Sequence, residues 1–458
     1  MRRFVRSWLA AAAIALGVQA IAASAGAAPN PEAAAETSPK RVVPDYDGRP
    51  TPITVGDVLL WVPRVVTFPL YVATDFLIRR PIGWLVVGAD HGRGLESFTQ
   101  LFTFGPRDHA GIVPTAQLDL GRRSAVGVYV FHDDLFSPGN QLRFHALFGG
   151  LGDGEVTLVD RIPIDREPGS YMKLRGEASH HTDAVFHGLG SRSLESQRAR
   201  YGVESVAGSA TFHLALGAGA VAEAWAGAET VRFDPTKSCC NEPSLAARAS
   251  RGDLALPPGI EGYFAFRQGL RLTLDSARPR PAPGGGFRFE ADVQHSVDLR
   301  DPGGSRWLDT GVTAAGTVDL TGHGRLLTVT LATRFADPLA DAAVPFTELA
   351  SLGGDQGMSG YLPGRLLGRS SATATFEYRY PILASLDGSA HAAIGNVFGP
   401  HLEGFEARLL RLSFDLGIDA PGQRDHALKF LVGFATETFA DGTRPDSVRL
   451  LFGGTTGL

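Results

Sequence analysis

Apolar and polar residues alternate over long stretches of this chain. Phe287, Phe289, Ala291, Val293, Val297 and Leu299 fall on one parity of a run, and Arg288, Glu290, Asp292, Gln294, Ser296, Asp298 and Arg300 fall on the other; His295 is the one polar residue on the apolar side. Successive side chains of a strand point to opposite faces, so this run predicts a long strand with one oily and one charged face. Shorter runs of the same kind occupy residues 126–131, 142–148, 211–216, 263–274, 326–331, 372–380, 409–416, 426–434 and 447–452. Residues 218–228 are rich enough in alanine to suggest a helix. Ala220, Ala222, Ala224, Ala226 and Ala228 recur at every second position, however, which fits a strand with Val221, Glu223, Trp225 and Gly227 on its other face.

Turn clusters separate the runs, among them 137–140, 149–154, 281–286, 301–304 and 421–423, and some gaps are long, such as 234–258. Short turns at one end and long loops at the other are the asymmetry of outer-membrane barrels. At about 10 residues per strand, with connections of similar total length, residues 116–458 accommodate roughly 16 strands. A sheet of that size closes. The expected fold is all-β, a transmembrane antiparallel barrel of about 16 strands with a short N-terminal periplasmic segment. A soluble sandwich or propeller would show the same alternation. Export, strands longer than the usual five or six residues, and aromatics near strand ends (Phe144, Phe148, Phe376, Tyr378, Tyr380, Phe398) favour the membrane. Phe289 is then expected to face lipid and to reject arginine, and Asp292 to face the lumen and tolerate it.

Residues 1–27 read as a secretory signal peptide: Arg2, Arg3 and Arg6 precede an apolar run over 8–23, followed by small-residue cleavage sites ending at Ala25 and Ala27. Residues 28–57 read as a flexible linker. Residues 58–105 form an apolar segment interrupted by Pro63, Arg64, Pro69, Asp75, Arg79, Arg80 and Pro81, too broken for a spanning helix; it is expected to pack on a larger body or to lie at a membrane surface or in a pore. The barrel is expected over 106–458. Glycine supplies 56 of the 458 residues without a three-residue period, which points to turns and bulges. Net charge is −5, with 43 basic and 48 acidic residues scattered along the chain, so no basic face offers itself to a phosphate backbone and nucleic acid is not an expected partner.

Near the C-terminus stand Leu352-Gly353-Gly354-Asp355-Gln356-Gly357-Met358-Ser359-Gly360-Tyr361, then Pro363-Gly364, and later Thr375-Phe376-Glu377-Tyr378-Arg379-Tyr380-Pro381-Ile382. This combination resembles the barrel domain of the bacterial surface antigen superfamily, the outer-membrane assembly factors related to BamA and TamA. There a loop carrying Arg-Gly-Phe or Arg-Gly-Tyr after a glycine pair folds back into the barrel, and a following strand reads Glu-Tyr-Arg-x-Pro. Gly353, Gly354, Gly360, Tyr361, Glu377, Tyr378, Arg379 and Pro381 match. Weaker echoes lie at Phe186-His187-Gly188-Leu189-Gly190-Ser191 and Ile394-Gly395-Asn396-Val397-Phe398. The resemblance implies a sixteen-stranded barrel and a seam between first and last strands near Ala116 and residues 447–452. It also implies the Gram-negative outer membrane, with outer-membrane lipid, unfolded outer-membrane proteins and periplasmic partners as the molecules met. It does not cover the soluble domains that relatives use to hold clients. The loop arginine is replaced by Ser359, and the strand aspartate that would pair with it falls at Ala393. The loop is therefore expected to lie near Glu377 and Ala393, held by Tyr361 packing and hydrogen bonds rather than by an ion pair. Glu377 either accepts from Ser359 and the loop backbone or faces lumen water.

Other candidate chemistry is sparse. His180, His181, Asp183 and His187 suit zinc or copper by type but are read as polar loop or lumen residues, so no metal and no cofactor is assigned. The adjacent Cys239 and Cys240 read as a local disulfide in a long loop rather than a redox centre. No nucleophile elbow or phosphate-binding loop is present, and no enzyme activity is expected. The reading is thus an outer-membrane barrel engaged in assembly or translocation of proteins, with a passive pore or structural barrel as the alternative.

Overall fold

The computed structural model describes residues 102–105 and 109–453, apart from residues 151, 165–168, 218, 277–284, 323, 355–356, 384–385 and 422–426. The signal peptide, the linker and nearly all of the apolar segment 58–105 lie outside the described residues.

The strands are β1 (Thr103–Phe104), β2 (Ala110–Asp119), β3 (Ala125–Asp133), β4 (Gln141–Gly150), β5 (Asp153–Pro163), β6 (Tyr171–Phe186), β7 (Ala199–Gly217), β8 (Ala220–Asp234), β9 (Tyr263–Asp275) and β10 (Gly286–Asp298). They continue with β11 (Arg306–Asp319), β12 (Leu326–Pro338), β13 (Ala350–Leu352), β14 (Leu366–Gly368), β15 (Ser370–Leu383), β16 (Leu386–Phe398), β17 (Arg411–Pro421), β18 (Ala427–Thr436) and β19 (Pro445–Phe452). Sixteen of them, β2–β12 and β15–β19, pair antiparallel with their neighbours in chain order, and β19 returns to β2 to close the barrel. The alanine-rich run is strand β8, as the period-two spacing implies.

Alternation becomes exposure. Along β9, Phe264, Phe266, Leu270, Leu272 and Leu274 are all solvent-exposed, as are Val312 and Val318 on β11 and Leu327 and Leu331 on β12. The opposite parity carries ion pairs: Arg271 lies 3.3 Å from both Glu223 and Glu290, and Arg267 lies 2.6 Å from Glu229. An apolar band this extensive cannot face water without a large cost, whereas hydrocarbon accepts it, and a closed barrel leaves no backbone edge unpaired in lipid. Tyr378 and Tyr380, on the outward parity of β15, stack with ring centroids 5.7 Å apart near the turn end, where an aromatic girdle belongs.

The long connections gather at one end of the barrel and fill it. Phe346, fully buried in the β12–β13 connection, packs against Phe186, Tyr201 and Phe233 at centroid distances of 5.7, 5.5 and 4.9 Å. Leu245, on the short helix Leu245–Ser250, and Leu254 join the same cluster from the β8–β9 connection. That connection also holds the disulfide between Cys239 and Cys240.

Candidate functional site

The connection between β12 and β15 runs 339–369 and turns inward through the small hairpin of β13 and β14. Gly353 and Gly354 have φ of +120° and +65°, the left-handed region where a glycine pair turns the chain without strain. The tip then descends onto β17, β18 and β19. The Ser359 hydroxyl donates to Asp415, the Gly360 N–H donates to Ser413 Oγ at 2.9 Å, and Ser447 Oγ donates to the Gly360 carbonyl at 2.7 Å. The Tyr361 hydroxyl donates to the Thr436 carbonyl. Burial pushes the Tyr361 phenol up to about 12, so it remains a donor at any ordinary pH. Around its ring pack Leu352, Met358, Leu366, Ala393, Val397 and Ala435.

Gly360 is where the tip touches the wall. A Cβ there would stand 2.4 Å from the Phe434 carbonyl oxygen, and one on Gly433 would stand 2.8 Å from Gly360 Cα. Two glycines face each other because nothing larger fits.

The expected partner of Ser359 is corrected. Glu377 binds Arg379, whose Nε and NH2 donate to it at 3.0 and 2.6 Å, and lies 3.4 Å from His391 Nε2. His391 Nδ1 meets Asp415 at 2.6 Å, and Asp415 receives Ser359. Glu377, His391, Asp415, Gly433 and Arg449 are cross-strand neighbours in one row over β15 to β19. The loop serine thus reaches the Glu377–Arg379 pair two strands away, through His391 and Asp415. Ala393 lines the apolar nest of Tyr361.

The expectation that no ion pair holds the loop is also corrected. Arg365, six residues beyond Ser359 and 1% exposed, lies 2.9 Å from the fully buried carboxylate of Asp446 at the start of β19. It also donates to Ser193 Oγ and O at 2.9 and 3.3 Å. Arg411 donates to the same Ser193 carbonyl at 2.7 Å and pairs with Glu437 at 2.7 Å. The two weaker sequence echoes meet here, because Asn396 Nδ2 donates to the Ser191 carbonyl at 3.0 Å. His187 sits beside this group. Burial and the nearby Arg365, Arg198, Arg200 and Arg411 hold its imidazole well below the usual histidine range, although Glu195 lies 3.0 Å from Nε2.

Among the sixteen barrel strands described, the seam is the thinnest junction. β19 and β2 share two register positions, Leu451↔Asp119 and Phe452↔Leu118, where other barrel neighbours share seven to fifteen. At the turn end the edge of β2 is taken by β1, with Ile112 N–H donating to Phe102 O at 2.8 Å. Leu120 N–H donates to Leu450 O at 2.9 Å, so the seam-facing parity includes Pro114, which has no N–H to offer. Thr103 and Phe104 therefore belong to the sheet although the sequence places them before the barrel. Among the described residues, one buried side-chain pair crosses the seam: Arg449 Nε and NH2 grip Asp119 at 3.0 and 2.9 Å, and its NH1 donates to the Ser359 carbonyl at 3.3 Å. The loop tip and the seam share one arginine.

A sixteen-stranded barrel whose connection between the eleventh and twelfth strands folds inward onto the last three is a specific arrangement. Among solved structures, BamA from Haemophilus ducreyi lacking POTRA domains 1-3 is similar over 76% of this chain and 70% of its own, with a TM-score of 0.53 and 12% identity. In its fold the chain is a sixteen-stranded BamA-like barrel. CdiB from Acinetobacter baumannii matches 76% of this chain and 60% of its own at 9% identity and a TM-score of 0.47. No family model matches the chain, and no curated protein matches it by sequence.

Arg365, Asp446, Asp415, His391, Arg449 and Asp119 were not singled out in the sequence of this BamA-like barrel. Parity is the signal that could have found them. Arg449 is the lone charge inside the apolar run of the last strand, and His391 and Asp415 fall on the inward parity fixed by Glu377 once the strands are registered.

Proposed function

We propose that this protein resides in the Gram-negative outer membrane and acts in assembly or translocation of proteins there, through a seam that parts toward lipid. The carrying observation is the junction of β19 with β2: two register positions, one buried arginine–aspartate pair, and a loop tip touching that arginine. Opening such a seam costs few backbone hydrogen bonds, and an edge exposed in hydrocarbon is a template for another strand. Unfolded outer-membrane proteins are the matching clients, with periplasmic partners delivering them. An exported leader fits this location.

The second reading is a passive pore or structural barrel. It draws on the missing loop arginine and on the charged lumen wall. The aromatic and apolar packing of the long loops across one end weighs against it. The test is purified protein in liposomes given a urea-unfolded barrel client, beside the same preparation in planar bilayers. Faster client folding without a large steady conductance supports assembly; a large stable conductance with no effect on the client supports the pore.

A further inference from the structure

We propose that Asp153, His181 and Asp183 form a binding site for one divalent transition-metal ion, Zn²⁺ by ligand chemistry, on the barrel wall beside the seam. His181 and Asp183 are two of the residues whose types suggested a metal; Asp153, the first residue of β5, is brought to them by the fold. Ligand atoms of the three residues lie within 4.8 Å of one another.

A bulge lies within the site. β6 and β7 are in register to His181↔Val203 and resume at Ala184↔Tyr201, so Thr182 and Asp183 together oppose Gly202. A bulge re-aims side chains, and bulges recur beside functional sites. Here Asp183, 2% exposed, and His181 line the same cavity. His180 is exposed on the other side of the strand, and His187 belongs to the arginine group.

Each carboxylate is anchored by one oxygen and offers the other. Asp153 Oδ2 accepts the Thr182 N–H at 3.1 Å, which leaves Oδ1 facing His181 Nδ1 at 3.4 Å. Asp183 Oδ2 accepts the Arg123 N–H at 2.6 Å, while its buried Oδ1 receives no hydrogen bond; the nearest cation is Arg122, at 3.8 Å. A buried carboxylate oxygen without a donor is costly. The 3.4 Å separation exceeds the about 2.7–2.9 Å of a charge-assisted hydrogen bond. It matches the edge, about 3.3 Å, of a tetrahedron of ligands with bonds of about 2.0 Å to zinc.

Two carboxylates and an imidazole suit a first-row transition ion, whereas calcium prefers oxygen alone. Glu155 Oε2 stands 4.0 Å from His181 Nε2, where a carboxylate commonly orients a metal-bound histidine. The adjoining cavity of ≈70 Å³, lined also by Gln117, Asp119 and Gly154, leaves an open position for water. Through the Arg123 N–H and Asp119, the ion would brace the segment that follows β2 at the seam. The inference does not rest on the assembly reading.

The test is the full mature protein, extracted from membranes, stripped with EDTA and titrated with Zn²⁺ alone by calorimetry. One equivalent should bind and raise the temperature at which the unboiled band is lost on detergent gels. Cobalt in its place should show the visible absorption of a four-coordinate site. His181→Ala and Asp183→Asn should each abolish the equivalent, and His180→Ala should keep it. The unboiled gel reports whether each variant folds, and His181→Ala alone decides if Asp183→Asn does not. No zinc uptake by the unaltered protein, uptake unchanged in His181→Ala, or binding of Ca²⁺ without Zn²⁺ would overturn the proposal.

Discussion

Gly360 shows how much a single residue decides in this barrel. A methyl group there collides with the Phe434 carbonyl, so Gly360→Ala should lift the loop tip and cost about 1–3 kcal/mol, as overpacking does. Gly303→Ala, with open space around it, should change nothing measurable; thermal loss of the unboiled gel band compares them. Removing the closer cation with Arg365→Met should cost up to about 3–5 kcal/mol, because the buried Asp446 carboxylate keeps only the more distant Arg411, at 3.8 Å, and a cycle with Asp446→Leu should recover part of it. At His187 the sign is that of a base buried neutral. Its folded pKa lies below the unfolded value, so the unfolded chain binds the extra proton and stability falls as pH drops below about 6.5, by at most about 1.4 kcal/mol per pH unit. His187→Gln should flatten that limb of the stability–pH curve. At this scale the sequence disclosed the glycines and Tyr361, because their types match a motif. Arg365 and Asp446 were hidden, because an ion pair 81 residues apart follows from strand register and leaves no mark in local pattern.

At the scale of strands, legibility followed contrast between the two faces. β9, β10 and β12 were plain because large apolar residues alternate with charges in β9 and β10 and with threonines in β12. β6 was not read, because its outward parity includes Gly176, Ala178 and His180, and β11 was blurred by Ala314 and Gly316. The outward parity gives a direct test: Leu331→Arg, at mid-strand on β12, should destabilise the inserted barrel by about 2–4 kcal/mol, whereas Thr330→Arg on the inward parity should be tolerated. Folding yield into lipid vesicles measures both. Asp292 is the wrong lumen control, because it pairs with Arg334 at 3.0 Å and an arginine there would set two like charges side by side.

For the molecule as a whole, closure at about sixteen strands was legible from length, yet the filling of one end by loops was not, since Phe346 meets Phe186 and Phe233 only once the barrel has formed. Those loops, the inward tip and the seam form one connected structure, and the account stands on the seam opening as a unit. Leu118 and Phe452 face each other across it on the lipid side. The most direct measurement pairs Leu118→Cys with Phe452→Cys in a background where Cys239 and Cys240 are serine, and follows folding of an unfolded barrel client in liposomes before and after crosslinking. The account predicts that the reduced protein accelerates client folding and the crosslinked protein does not, with full recovery on reduction. Equal acceleration with the seam open or locked would contradict it.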